Sequence, residues 1–286
     1  MSDHAITGAC LCGAVRYELA GPFGQLTHCH CSVCRKHHGA PFVSFVASPL
    51  KGFHYLAGEH HVGRYDSSAT WYRPFCLTCG SVLPTRMPGH EVIVSPAGGL
   101  KGDLGVRPGQ HMFVASKAPW YEITDDLPQY AGYPPGLFGP AAGSREPEPA
   151  SPGCTGGSCV CGKVAFEYED APLRMLNCHC SRCRRARSAA HTTNLFVALD
   201  KFRFRHGEEL VRDFPLPGAR YFGVAFCSAC GSDVPRLSRE RNVAVIPAGC
   251  LDSDPGMRPT AHIFVGSKAA WFDITGDLPQ FQEMPA

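Results

Sequence analysis

Six thiols stand apart from the rest of the chain because packing does not account for their density. Cys29, Cys31 and Cys34 fall within Cys29-His30-Cys31-Ser32-Val33-Cys34, and Cys178, Cys180 and Cys183 repeat the arrangement in Cys178-His179-Cys180-Ser181-Arg182-Cys183. Neighbouring sulfurs usually need a metal between them to be shielded from oxidation and mutual repulsion. Three thiolates on Zn²⁺ leave one corner of a tetrahedron free, and a free corner distinguishes zinc sites that do chemistry from structural sites closed by four protein ligands. Both triads are therefore candidate catalytic sites as well as metal sites.

Eight further cysteines supply a second kind of site. Cys10-x-Cys12 is expected to lie on a strand, where residues i and i+2 share a face. Cys76-x-x-Cys79-Gly80 is expected to form a tight turn whose amides approach the sulfurs. Together these four make a closed, structural zinc site, and Cys159, Cys161, Cys227 and Cys230 repeat it. The arithmetic is two zinc ions per domain, four per chain. A disulfide framework is the competing reading of the 16 cysteines. Against it stand the odd count per half, the C-x-C and C-x-x-C spacings, and an amino terminus without a basic region leading into an apolar core, which sets the expected address as cytoplasmic. Cys154 and Cys250 lie outside the pattern. Because i+1 on extended chain faces away from i and i+2, His30 and His179 are not expected to ligate. His38, His37 and His191 follow the triads closely and are the candidate general acids or bases, His38 foremost, with a polar pocket wall as the plainer role.

The chain that must position these groups is a duplication. Gly8-Ala9-Cys10-Leu11-Cys12-Gly13 returns as Gly157-Ser158-Cys159-Val160-Cys161-Gly162, at the same offset as the triads. Phe75 to Ser81 returns as Phe226 to Ser232, and His111 to Trp120 as His262 to Trp271. A period this long implies two whole domains. The stretch Ala131 to Gly153 is rich in proline and glycine and reads as a semi-rigid tether. The expected boundaries are 1–130 for the first zinc domain, 131–153 for the linker and 154–286 for the second domain, the two domains packing as a pseudo-dimer. Within each copy, short alternating segments such as 14–19, 42–46 and 91–94, bounded by Gly, Pro and Ser, predict strands. One turn of helix begun by Ser32 or Ser181 is the only helical signal. The expected fold is all-β with little helix.

Composition narrows the function classes. The formal charge is +2, and four thiolate-bound zinc ions would carry it to about −4. That is no footprint for nucleic acid; Arg182, Arg184, Arg185 and Arg187 form the sole basic run, without interleaved aromatics. No apolar run approaches the roughly 20 residues needed to cross a bilayer.

The sequence resembles a tandem member of the glutathione-dependent formaldehyde-activating enzyme family, also called the centromere-protein-V-type zinc domain. The matching residues are Cys10 to Gly13, the C-H-C-x-x-C-R of Cys29 to Arg35, Gly39-Ala40-Pro41-Phe42, Phe75-Cys76-x-x-Cys79-Gly80-Ser81, and His111-x-Phe113-Val114-x-Ser116-Lys117-Ala118-x-Trp120. The second copy departs after its triad, where Ser188-Ala189-Ala190-His191 stands in place of Gly39 to Phe42. The resemblance implies two tandem Mss4-like (β-tent) domains, a structural four-cysteine zinc and a catalytic three-cysteine zinc in each. It also implies carbon–sulfur lyase activity on thiol adducts such as S-hydroxymethylglutathione, with a small thiol as partner. The alternative is a non-catalytic zinc module for protein interaction or thiol and redox sensing. Of the two open sites, the first is expected to carry more of the activity, the second being ringed by arginines.

Overall fold

The computed structural model describes residues 5–137, 145–169 and 172–285; residues 138–144 of the expected tether lie outside them. The first half runs β1 (Ala5–Ala9), β2 (Arg16–Ala20), β3 (Leu26–Cys29), α1 (Ser32–His38), β4 (Val43–Pro49), β5 (Phe53–Ala57), β6 (Val62–Asp66), β7 (Tyr72–Cys76), β8 (Thr85–Arg86), β9 (Val92–Pro96), β10 (Pro108–Met112) and β11 (Gln129–Tyr130). The second half repeats the order with one added short strand, β19. It comprises β12 (Cys154–Ser158), β13 (Ala165–Glu169), β14 (Arg174–Cys178), α2 (Ser181–Arg187), β15 (Thr192–Ala198), β16 (Phe202–His206), β17 (Val211–Pro215), β18 (Gly223–Cys227), β19 (Asp233–Val234), β20 (Arg236–Ser238), β21 (Val243–Pro247), β22 (His262–Ile263) and β23 (Gln280–Phe281). The fold is all-β, as the alternating segments imply.

A six-stranded sheet dominates each half, in the order β11-β10-β3-β4-β9-β8 and, in the second, β23-β22-β14-β15-β21-β20. Three-stranded sheets β1-β2-β5 and β12-β13-β16 accompany them. In the first half β3 lies between β10, parallel to it, and β4, antiparallel. Covered on both faces as well as paired along both edges, β3 buries all its residues, which explains why Leu26-Thr27-His28-Cys29 does not alternate in hydrophobicity.

The helical signal is stronger than one turn. α1 and α2 each span seven residues. Each starts on a triad cysteine: Cys31 has extended dihedrals (φ −60°, ψ 147°) and its sulfur accepts from the Cys34 amide at 3.3 Å, the role a serine oxygen usually plays. Arg35 and Lys36 set positive charge in the last turn of α1, against the negative end of the helix dipole. Gly39 then closes α1 in the left-handed region at φ 59°. A β-carbon there would stand 2.7 Å from Pro247 Cβ and 2.9 Å from Asp233 Cβ, so the position demands glycine for space as well as for φ. The equivalent residue after α2, Ser188, adopts φ 50°, and its Oγ donates to the Val82 carbonyl at 2.7 Å. That hydrogen bond offsets part of the steric cost of the left-handed conformation.

Contacts between the halves are reciprocal. Gly98 lies against the backbone after α2, where an added Cβ would be 2.2 Å from Ala189 N; Gly249 lies against the backbone after α1, with Ala40 N at 2.4 Å. Trp271 shares a core with Leu19, Leu26, Phe42 and Val46, whereas Trp120 shares one with Phe166, Tyr168, Met175 and Leu195. Each half thus lodges its tryptophan among the other's strands. Lys36 pairs with Asp252 and donates to Ser158 Oγ at 2.7 Å. Thr124 Oγ1 and Thr275 Oγ1 meet at 2.6 Å. Among the described residues, no helix is long and apolar enough to cross a membrane.

Candidate metal centres and the first-site pocket

Among the described residues four sulfur clusters are present, composed of the cysteines that spacing grouped together. Cys10, Cys12, Cys76 and Cys79 form one, Cys159, Cys161, Cys227 and Cys230 another, and the two triads the rest; within each, all sulfurs lie within 4.8 Å of one another. All 16 cysteines are free, so no pair is bridged. Cys12 and Cys76 sulfurs are 3.8 Å apart, and Cys161 and Cys227 sulfurs 3.9 Å. Zinc–sulfur bonds of about 2.3 Å in a tetrahedron give edges of about 3.8 Å, so the four-sulfur cages have the right size. Electrostatics point the same way. The Cys161 sulfur, the Cys227 and Cys230 sulfurs and burial together push the Cys159 thiol far up. In the first triad, Cys31, Cys34 and burial do the same to Cys29. Buried thiolates can gather there only around a cation.

One local expectation needs correcting. β1 ends at Ala9, so Cys10 and Cys12 sit on the turn after the strand, not on it. Gly13, at φ 78°, lets the chain reverse so that Gly13 N bonds Cys10 O at 3.2 Å and Val15 N reaches Cys10 Sγ at 3.3 Å. The turn brings the two sulfurs to 3.4 Å, a convergence that extended chain would not provide. Ser81 ties the cage together, accepting from Leu11 N at 2.9 Å while its Oγ lies 3.3 Å from Cys79 Sγ. Ser232 does the equivalent in the second cage.

The first triad differs from the cages in what surrounds it. Cys29, Cys31 and Cys34 form part of the wall of a cavity of about 600 Å³. His37, His38, Arg73 and Tyr133 line it with them. Arg73 is half-buried among these groups, its guanidinium 3.9 Å from Cys34 Sγ. His38 Nδ1 donates to the Arg187 carbonyl at 2.6 Å, which leaves Nε2 as the proton-accepting nitrogen, buried and without a partner. Burial pushes His38 down to about 4 and so keeps it neutral. Both ring nitrogens of His37 are likewise buried and unpartnered.

His30 does face away from the sulfurs. Its Nε2 donates to His111 Nδ1 at 2.8 Å, and His111 Nε2 donates to Asp125 at 3.0 Å. His179 and His262 repeat the first bond at 2.8 Å. The residue aligned with Asp125 is Gly276, which meets Thr124 instead, so the second chain of imidazoles has no carboxylate at that position. The structure does not bring His191 into a triad pocket. It stacks on His179 at 4.9 Å, meets Phe42 edge-on at 5.5 Å, and lines a separate cavity of about 860 Å³ between the halves, with His28, Tyr121 and Phe272.

The arginines expected to ring the second triad are mostly committed elsewhere. Arg187 pairs with buried Asp233, Arg185 donates to the carbonyls of Cys10 and Leu11 at 2.7 and 3.3 Å, and Arg184 bonds the Ser267 carbonyl at 3.1 Å. A cluster that sequence presents as one patch is divided by the helix into separate packing contacts. Where Arg73 stands in the first half, the aligned residue is buried Val224, and His37 aligns with Ala186. Arg73 and Asp125 are the site residues that sequence reasoning missed. Their departure between the repeats was the available signal.

A family model for the glutathione-dependent formaldehyde-activating enzyme matches the chain twice, over residues 5–116 and 154–267. A Halomonas elongata protein named "Putative glutathione-dependent formaldehyde-activating enzyme" is 30% identical over 139 residues, covering 45% of this chain and 88% of its own. An uncharacterized lyase of Schizosaccharomyces pombe is 33% identical over 76 residues, covering 27% of this chain and 53% of its own. A crystal structure of a Rhodobacter sphaeroides protein matches with 27% identity and a TM-score of 0.28, over 36% of this chain and 97% of that one.

Proposed function

Since the chain belongs to the glutathione-dependent formaldehyde-activating enzyme family in both halves, we propose that it is a carbon–sulfur lyase acting on thiol adducts of the S-hydroxymethylglutathione kind, with the first triad as its main site. The observation that carries this reading is the contrast between closed four-sulfur cages and a three-sulfur cluster set in the wall of a cavity. Cys29, Cys31 and Cys34 would hold zinc at the reacting centre; Cys178, Cys180 and Cys183 would hold its counterpart, and the cages two structural ions, four per chain. Bound zinc supplies Lewis-acid stabilisation for a sulfur that leaves as thiolate.

The chain's own groups supply the rest. The His38 Nε2 lone pair, fixed by the Nδ1 bond to Arg187 O, can take the hydroxyl proton of a hemithioacetal as its carbonyl forms. Arg73 holds positive charge beside Cys34, where negative charge develops on sulfur. Because the positions aligned with Arg73 and His38 hold Val224 and Arg187, the second half fits the alternative reading of a non-catalytic zinc module. The two halves would be domains 1–130 and 154–286, joined by 131–153 and packed as a pseudo-dimer. The setting would be cytoplasmic, the partner a small thiol, and nucleic acid no partner.

The test is C–S cleavage of thiol–formaldehyde adducts by zinc-loaded Cys31→Ala and Cys180→Ala variants of verified metal content. Cys31→Ala should lose most of kcat/KM, by about 100-fold or more, and Cys180→Ala little. Equal losses would refute the asymmetry, and no cleavage by the parent protein would refute the lyase reading.

A further inference from the structure

The side chains over the first triad restrict what the thiol half of the substrate can be, an argument that rests on the lyase reading above. Phe45, Trp71, Met87, Met112, Phe113 and Leu137 wall the cavity, and among the described residues no aspartate, glutamate or lysine lines it. Among the described residues and apart from histidines, Arg73 is the single basic side chain that lines it, and it is held 3.9 Å from Cys34 Sγ. Glutathione carries two carboxylates and an ammonium. A tripeptide seated with its sulfur at the triad would bring three charges against a largely apolar wall whose remaining polar groups, among them Gln25, Ser67, Ser68 and Gln110, are neutral, with no acidic partner for the ammonium and, apart from Arg73 and the histidines, no cation for a carboxylate. Charges buried without partners oppose binding strongly, whereas an aryl or alkyl group gains from the same walls.

We propose that the first site selects adducts of apolar thiols, S-hydroxyalkyl derivatives of aryl or alkyl thiols, over adducts of glutathione. The reaction is unchanged in kind: in R–S–CH₂–OH the C–S bond breaks with its electron pair going to sulfur. The hydroxyl oxygen becomes the carbonyl oxygen of formaldehyde, and its proton ends on the released thiol. Nothing is oxidised or reduced, and no co-reactant is consumed. Trp71 is the specificity-determining residue that the geometry points to, an indole on the cavity wall that is itself only half-buried and so removable without opening the core.

The experiment uses the full-length, zinc-loaded protein in a Cys180→Ala background, so that the second triad does not contribute. kcat/KM is measured for the formaldehyde adducts of phenylmethanethiol, 1-butanethiol and glutathione. The phenylmethanethiol adduct should exceed the glutathione adduct by about 100-fold, and Trp71→Ala should shrink that ratio by about tenfold. A glutathione adduct cleaved as well as or better than the apolar adducts overturns the proposal. If no adduct is cleaved, the lyase reading has failed, and calorimetric titration with the free thiols decides the selectivity: tighter binding of phenylmethanethiol than of glutathione sustains the apolar site, and the reverse order overturns it.

Discussion

Replacing Trp271 with alanine should destabilise the half of the chain to which Trp271 does not belong. Its indole is 1% exposed and lies in the core formed by Leu19, Leu26, Phe42 and Val46 of the first half. A buried tryptophan withdraws roughly 200 Å² from water, which at about 25 cal/mol per Å² amounts to about 5 kcal/mol. The unfolded chain already hides some of that surface, so about 3–5 kcal/mol is the expected loss, in line with other tryptophan-to-alanine changes in cores. Hydrogen exchange followed by mass spectrometry on the zinc-loaded protein separates the halves. Amides of β2, β3 and β4 should lose protection by about two orders of magnitude or more, since each 1.4 kcal/mol of opening free energy is about tenfold. Loss of protection confined to β13, β15 and β21, with β2 to β4 unchanged, would refute the exchange of tryptophans between the halves.

Two further predictions follow from the same geometry. Gly249→Ala forces a Cβ to within 2.4 Å of Ala40 N and should cost about 1–3 kcal/mol, whereas Gly132→Ala, with nothing within 4 Å, should be neutral or slightly stabilising; identical melts for the two variants would contradict the backbone contact. Cys76→Ala breaks a closed cage and should abolish cooperative unfolding of the first half, because a structural zinc contributes folding free energy on the order of 10 kcal/mol. Cys31→Ala should remove one metal equivalent and leave the melt largely intact; equally destructive effects would erase the distinction between cage and triad.

Much of this molecule is legible in its sequence because its organising residues are cysteines, whose grouping is dictated by coordination chemistry and survives ignorance of the fold. The C-x-C and C-x-x-C spacings group Cys10 and Cys12 with Cys76 and Cys79, and the structure brings those four sulfurs together. The local geometry was less accessible. A strand was expected for C-x-C, whereas the positive φ of Gly13 makes a turn. The four arginines of α2 looked like one electrostatic patch, but helical periodicity sends Arg185 to the Cys10 and Leu11 carbonyls and Arg187 to Asp233. Arg73 and Asp125 come from segments far from the triad in sequence, and only their departure between the repeats, to Val224 and Gly276, sets them apart. That departure marks the positions, while their roles are set by tertiary contacts that the sequence does not display.

The pairing of Phe42 with His191 has a consequence for how this architecture can change over time. The two residues occupy equivalent places in the repeats, yet they touch each other, ring to ring, at 5.5 Å. Two copies of a single gene product meeting in this way could only set phenylalanine against phenylalanine or histidine against histidine, and any mutation there would strike both sides at once. Covalent fusion removes that constraint. Each side of the seam can be altered while the other is held fixed, so one repeat can drift away from the ancestral chemistry and still furnish the surface on which its sibling is built.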